Sequence, residues 1–303
     1  MKTCIAGTDR ERFRLLFSIR RREEGVSAIQ NELKSDWRSG VLKLSGHRRK
    51  QGSALARYIL RNVSTGVLEN KKHITIDIVG DSVTQGTDHC TEDETYAAQY
   101  AKMLAKKYPH AAVCRYDGVV EDGLMPIKYF KGPIIVSEGD TDYKIDVIKN
   151  GVGGNTLRRA IKRIDDFTNI LPNGKRADIT VFMFGINDAL KSDKEKYVTA
   201  QKFAADYEEL LNKFKQTEDS EIVIMSATTN DQTIEEHVKA AKSVAQKNNI
   251  LYVDQHAVWT KHYDKNACNF GYGDWLSNKP GDACHPTPKG AYVIAKTLFD
   301  SMN

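Results

Sequence analysis

From His73 onward, short β-branched runs alternate with longer amphipathic stretches, and this alternation limits what the chain can fold into more than any other feature. The runs are HITIDIVG (73–80), YKIDVIKN (143–150), ADITVFMFG (177–185), EIVIMSA (221–227) and NILYVDQ (249–255). Helical spacing of apolar residues marks segments at about 95–108, 155–170, 194–216, 232–248 and 287–302. Strands that take turns with helices form a parallel sheet covered by those helices, and five are enough for a small doubly wound sheet. The segment 109–142 breaks the rhythm. It is rich in glycine, contains only the weak strand GPIIVS, and is expected to be an inserted loop or small hairpin bordering the site.

The 303 residues allow one large α/β domain plus an extension, and 40% hydrophobic and 28% charged residues suit a packed core. Charge divides the chain. Residues 1–72 hold 17 Lys and Arg against 7 Asp and Glu, a net +10, whereas residues 73–303 are net −5. The division expected is a basic, mainly helical N-terminal extension over 1–72 and an α/β domain over 73–303. Ser27 to Gln30 reads as a capping box, and Ser53 can cap a second short helix before the turn at Gly66. Basic clusters such as Arg20-Arg21-Arg22 and Arg48-Arg49-Lys50 read as solvated helical faces, since no aromatic platform accompanies them, and nucleic acid is not expected as a partner.

No apolar run approaches the ~18–20 residues of a transmembrane helix. The N-terminus carries no apolar core of secretory length, so no membrane contact and a cytoplasmic location are expected. The five cysteines, Cys4, Cys90, Cys114, Cys268 and Cys284, include no C-x-x-C pair, and free thiols are expected. A Cys268–Cys284 bridge would clamp the loop between them but requires an oxidising compartment.

Ligands of an open parallel sheet bind beyond the carboxyl ends of its strands. Gly80-Asp81-Ser82 follows the first run, Asn150 to Thr156 (NGVGGNT) the second, and Gly185-Ile186-Asn187-Asp188 the third; Asp282-Ala283-Cys284-His285-Pro286 precedes the last helix. A serine hydroxyl needs a base within hydrogen-bond reach, and that base needs a third group to orient it. His285 and Asp282, three residues apart, can supply both to Ser82. The oxyanion formed by attack needs donors already in place, and the Ser82 amide, the Gly154 amide and the Asn187 side chain suit that role. NGVGGNT also reads as a tight turn in which Asn155 caps the next helix, and Asn187-Asp188 as a helix cap.

These four clusters resemble the sequence blocks of the SGNH/GDSL hydrolases: G-D-S at Gly80 to Ser82, the glycine block ending at Gly154, G-x-N-D at Gly185 to Asp188, and D-x-x-H-P at Asp282 to Pro286. Val83 stands where the usual Leu would be, and the glycine block reads G-G-N-T; neither departure removes a catalytic atom. The resemblance spans about residues 73–303. It implies a flavodoxin-like three-layer α/β/α sandwich with a five-stranded parallel sheet and neither metal nor organic cofactor. It further implies Ser82 as nucleophile, His285 as base, Asp282 as its orienter, and Ser82, Gly154 and Asn187 as the oxyanion hole.

The expected activity is hydrolysis of a short-chain acyl ester, foremost O-acetyl groups on a carbohydrate, with a small-molecule or oligosaccharide ester as partner. Aromatic residues Trp259, Tyr263, Phe270, Tyr272 and Trp275, interleaved with polar ones, suit a sugar ring, although each can equally pack its loop. A thioesterase or lysophospholipase acting on a longer acyl chain uses the same machinery. A non-catalytic binding protein on the same fold is disfavoured because every catalytic position holds a competent residue.

Overall fold

The computed structural model describes residues 72–87, 90–120, 126–228, 234–262, 275–276 and 284–302. The extension over 1–71, with its capping box and basic clusters, lies outside the described residues, as do Asp282 and Cys268. In chain order the elements are β1 (His73–Gly80), α1 (Ser82–Gln85), α2 (Tyr96–Lys107), β2 (Ala112–Val119), β3 (Tyr129–Ser137), β4 (Lys144–Gly151), α3 (Leu157–Lys162) and α4 (Asp165–Thr168). There follow β5 (Ile179–Met183), α5 (Ala200–Thr217), β6 (Glu221–Met225), α6 (Glu235–Lys247), β7 (Leu251–Val253), α7 (Gln255–His262) and α8 (Pro288–Met302).

The fold is the expected flavodoxin-like α/β/α sandwich, but its sheet has seven strands rather than five, in the order β3-β2-β4-β1-β5-β6-β7. The five runs read from the sequence are β4, β1, β5, β6 and β7, paired in parallel. The two extra strands come from the segment 109–142. There, β2 joins β4 in parallel and β3 returns antiparallel along the edge. The irregular stretch is therefore a hairpin built into the sheet. Its first strand, AVCRYDGV, escaped the hydrophobic pattern because Arg115 and Asp117 sit inside it, both buried. The Arg115 Nε donates to Asp117 at about 3 Å, so each charge meets its partner instead of leaving the interior.

Alternation along each central strand sends side chains to two cores. On one face Ile74, Ile76, Ile78, Val181 and Met183 pack with Tyr96, Tyr100 and Leu104 of α2 and with Ile294 and Leu298 of α8. On the other, Val79, Phe182 and Ile224 pack with Leu157, Phe203, Leu210 and Phe214. Threonine side chains start the helices. Thr95, Thr156 and Thr199 accept from the amides of Ala98, Arg159 and Lys202, anchoring α2, α3 and α5 at the strand ends. No helix among the described residues is long and apolar enough to cross a membrane.

Candidate active site

The pairing of β1 with β4, Gly80 opposite Gly151, brings the first two polar clusters to the same rim. Chain leaving β1 turns at once into α1. Asp81 is its N-cap, accepting from the Val83 amide at 3.0 Å, and Ser82 is the first helical residue. Gly151 is where the two turns meet: a Cβ there would collide with the backbone of Thr84 and Gln85, so only glycine allows β4 to pass so close under α1.

Ser82 and His285, 203 positions apart in sequence, form one hydrogen bond: His285 Nε2 lies 2.8 Å from Ser82 Oγ. On the other side of the ring the Cys284 Sγ is 3.8 Å from His285 Nδ1. Asp282 lies outside the described residues. Cys90 and Cys114 are free thiols, and Cys90 Sγ donates to the Pro286 carbonyl at 3.5 Å, tying the segment after the serine to the segment carrying the histidine.

The second and third clusters interlock. Asn187, 8% exposed, donates from Nδ2 to the Asn155 carbonyl at 3.0 Å, which leaves the second amide hydrogen for another acceptor. Asp188 Oδ1 accepts from the Leu157 amide at 3.1 Å, so the G-x-N-D loop caps α3 from outside. Thr156, not Asn155, supplies that helix's own side-chain cap. The Asn155 side chain turns inward because a buried arginine waits there. With its amide oxygen facing the guanidinium, Asn155 accepts from Arg163 Nε at 2.7 Å. Gly154 adopts φ +65°, and among the described residues neither its amide nor that of Ser82 has an acceptor.

Arg163 is the residue that sequence reasoning missed. Only 8% exposed, it donates to the Asn150 side chain at 2.8 Å, to the Asn150 carbonyl at 3.2 Å and to the Gly80 carbonyl at 3.4 Å. It thereby links the Ser82 turn to both ends of the glycine turn. Asp77 lies beneath, fully buried, accepting from Asn150 Nδ2 at 3.3 Å; burial pushes its carboxyl up to about 8 against the pull of Asn150 and Arg163. Asp81 is raised to about 6, by burial first, opposed by the Val83 amide and by positive charge on His285. Burial likewise lifts Asp188 to about 7, opposed by the Leu157 amide. The available signal was the charged residue inside HITIDIVG: an aspartate in a strand covered on both faces requires polar partners.

The aromatic loop is divided. Trp259 has no exposed surface and belongs to the core, while Trp275 stacks on His262 with ring centroids 3.4 Å apart. Tyr263, Phe270 and Tyr272 lie outside the described residues. Among the described residues no group of three or more His, Cys, Asp or Glu is placed to hold a metal ion.

Solved structures share this fold. Axe2, an acetylxylan esterase from Geobacillus stearothermophilus, superposes with a TM-score of 0.53 at 18% identity, covering 76% of this chain and 94% of that one. The acetyl xylan esterase AlAXEase gives 0.53 at 17% identity, with 76% and 100% covered. LAE5, an alpha/beta hydrolase enzyme from the metagenome of Lake Arreo, Spain, gives 0.53 at 16%, with 76% and 96% covered. A sequence comparison with curated proteins finds no match. The fold class is thus that of the SGNH hydrolases. The chain belongs to the GDSL-like lipase/acylhydrolase family, whose pattern matches residues 137–293, and is by that membership a carboxylic ester hydrolase. The matched span holds Gly154, Asn187, Asp282 and His285, and begins beyond Ser82.

Proposed function

We propose that the protein removes short acyl groups, foremost O-acetyl groups on a carbohydrate, with Ser82 as nucleophile and His285 as base. The observation that carries this reading is the 2.8 Å contact between His285 Nε2 and Ser82 Oγ. In the first step Oγ attacks the ester carbonyl as Nε2 takes its proton, giving a tetrahedral oxyanion. Collapse breaks the bond from the acyl carbon to the sugar oxygen, His285 gives its proton to that oxygen so that it leaves as the sugar hydroxyl, and acetyl-Ser82 remains. Water, deprotonated by His285, then attacks the acyl carbon; acetate leaves and the proton returns to Oγ. Asp282, placed by the sequence three residues before the base, orients the imidazole and stabilises its cation. The amides of Ser82 and Gly154 and the second hydrogen of Asn187 Nδ2 receive the oxyanion.

The acetyl reading is supported by the polar character of the turns beside Ser82. Gln85, Thr87, Gly153, Asn155 and Asn187 are small or polar, whereas a fatty acyl chain needs a continuous apolar lining. It is also supported by the acetylxylan esterases among the fold's relatives.

The test is one panel: wild type and Ser82→Ala on 4-nitrophenyl acetate, butyrate and octanoate, and on acetylated oligosaccharides. Ser82→Ala should lose turnover and unfold at the wild-type temperature, kcat/KM for acetate should at least equal that for octanoate, and acetate should be released from the sugars. Wild-type turnover by folded Ser82→Ala would sink the site. Each methylene buried in an acyl tunnel is worth about 0.8 kcal/mol, so a several-fold rise per carbon with no sugar deacetylated would favour the thioesterase or lysophospholipase reading.

A further inference from the structure

An oxyanion donor is useful only if its N–H points at one place before substrate arrives. The Gly154 amide belongs to a peptide between two glycines. With no Cβ on either side, rotating that peptide plane meets little steric resistance, and a rotation would turn the N–H away. Something beyond the local backbone must hold it.

Two side chains hold the peptide units on either side. Gln85 Oε1 accepts from the Gly153 amide at 2.6 Å, fixing the unit before. Arg159 Nη1 donates to the Gly154 carbonyl at 3.2 Å, fixing the unit after. Of the two, Gln85 has the further property of standing on the nucleophile's own helix, three residues from Ser82. Its position there is set from several sides. The Gln85 amide donates to the Asp81 carbonyl at 2.9 Å, its carbonyl accepts from the buried Lys149 Nζ at 3.1 Å, and its backbone rests against Gly151. A shift of α1 would therefore carry the serine and the Gly153 anchor together.

We propose that Gln85 is a positioning residue for the oxyanion hole: its side-chain carbonyl clamps the Gly153-Gly154 turn to the nucleophile helix so that the Gly154 N–H keeps a fixed distance and direction from Ser82 Oγ. The inference rests on the Gly154 amide being an oxyanion donor. What the site requires of residue 85 is an acceptor. The Gln85 side-chain Nε2 makes no hydrogen bond to the described residues, so a carboxylate in place of the side-chain amide keeps the one contact that matters.

The experiment compares Gln85→Leu, Gln85→Met and Gln85→Glu with wild type and Ser82→Ala on 4-nitrophenyl acetate, reading kcat, KM and the thermal midpoint. Leu and Met remove the acceptor at similar size; making both guards against one of them failing to fold. Both should lower kcat by about 10–100-fold, less than outright loss of a donor, with KM within about 3-fold. Gln85→Glu should restore kcat to within about 3-fold of wild type. A wild-type kcat in folded Gln85→Leu or Gln85→Met would overturn the proposal. So would an equal loss in Gln85→Glu, because packing rather than the acceptor would then be at stake. Active Ser82→Ala would overturn the site reading and this inference with it, whereas inactive Ser82→Ala beside fully active Gln85→Leu would overturn this inference alone.

Discussion

The two faces of β1 are equally buried and, from Ile74 to Ile78, chemically opposite. On one, Ile74, Ile76 and Ile78 enter a core of apolar side chains from α2 and α8. On the other, Thr75 and Asp77 enter a polar layer. Thr75 Oγ1 accepts from Asn173 Nδ2 at 2.8 Å, which also reaches Asp146, and Asp77 meets Asn150, itself bound by Arg163. The apolar face is non-directional: its contribution scales with area removed from water, and a changed contour is absorbed by repacking. The polar face is directional. Each donor fixes an acceptor at one distance and angle, and the acceptors here include the Gly80 carbonyl and the Asn155 side chain, on the turns that carry Ser82 and Gly154. One face therefore holds the fold together, and the other also sets the geometry of the rim.

The sharpest break in that comparison is Arg163→Leu. Removing the guanidinium strands Asn150 and Asn155 without a donor and leaves Asp166 without its ion pair, at 3.5 Å in the wild type. Loss of one partner from such a buried network costs about 3–5 kcal/mol, and urea unfolding should show it. The folded fraction should also lose kcat, because both turns relax. Stability loss with undiminished kcat would mean that the polar layer is structural only.

On the opposite face Ile76→Val should cost about 0.5–1.5 kcal/mol and leave kcat unchanged. A fall in kcat from this substitution would show that the apolar core also tunes the site, and the contrast between the faces would be lost.

The effect smallest near pH 5, and the most specific, is expected from Asp77→Asn. The Asp77 carboxyl stands at about 8 in the folded protein against an ordinary 3.8, so between those values the native state binds a proton that the unfolded chain has released. Stability is then fully present below about pH 4 and is lost as pH rises through about 8. Asparagine keeps the neutral shape at every pH. Near pH 5 the variant should unfold close to wild type, and by pH 9 it should be the more stable of the two. Parallel stability curves for variant and wild type across this window would exclude Asp77 as the titrating group.

Much of this molecule can be read directly in the chain. Five strands, the helices between them and the four polar clusters at their ends follow from periodicity and from short motifs, since a half-turn of backbone is enough to relate Gly80, Asp81 and Ser82. The edge hairpin was half visible: β3 showed as GPIIVS, while Arg115 and Asp117 hid β2 until their mutual contact was known. Sequence could nominate His285 for Ser82, yet they lie 203 positions apart, and only the parallel sheet delivers the imidazole to 2.8 Å from the hydroxyl. Tertiary structure alone decided what Arg163, Asp77 and Gln85 do. Each takes its role from partners far along the chain, Gly80 for the arginine, Asn150 for the aspartate and Gly153 for the glutamine. Local sequence records which donors and acceptors exist; which of them meet depends on directions fixed only when strands and helices have packed.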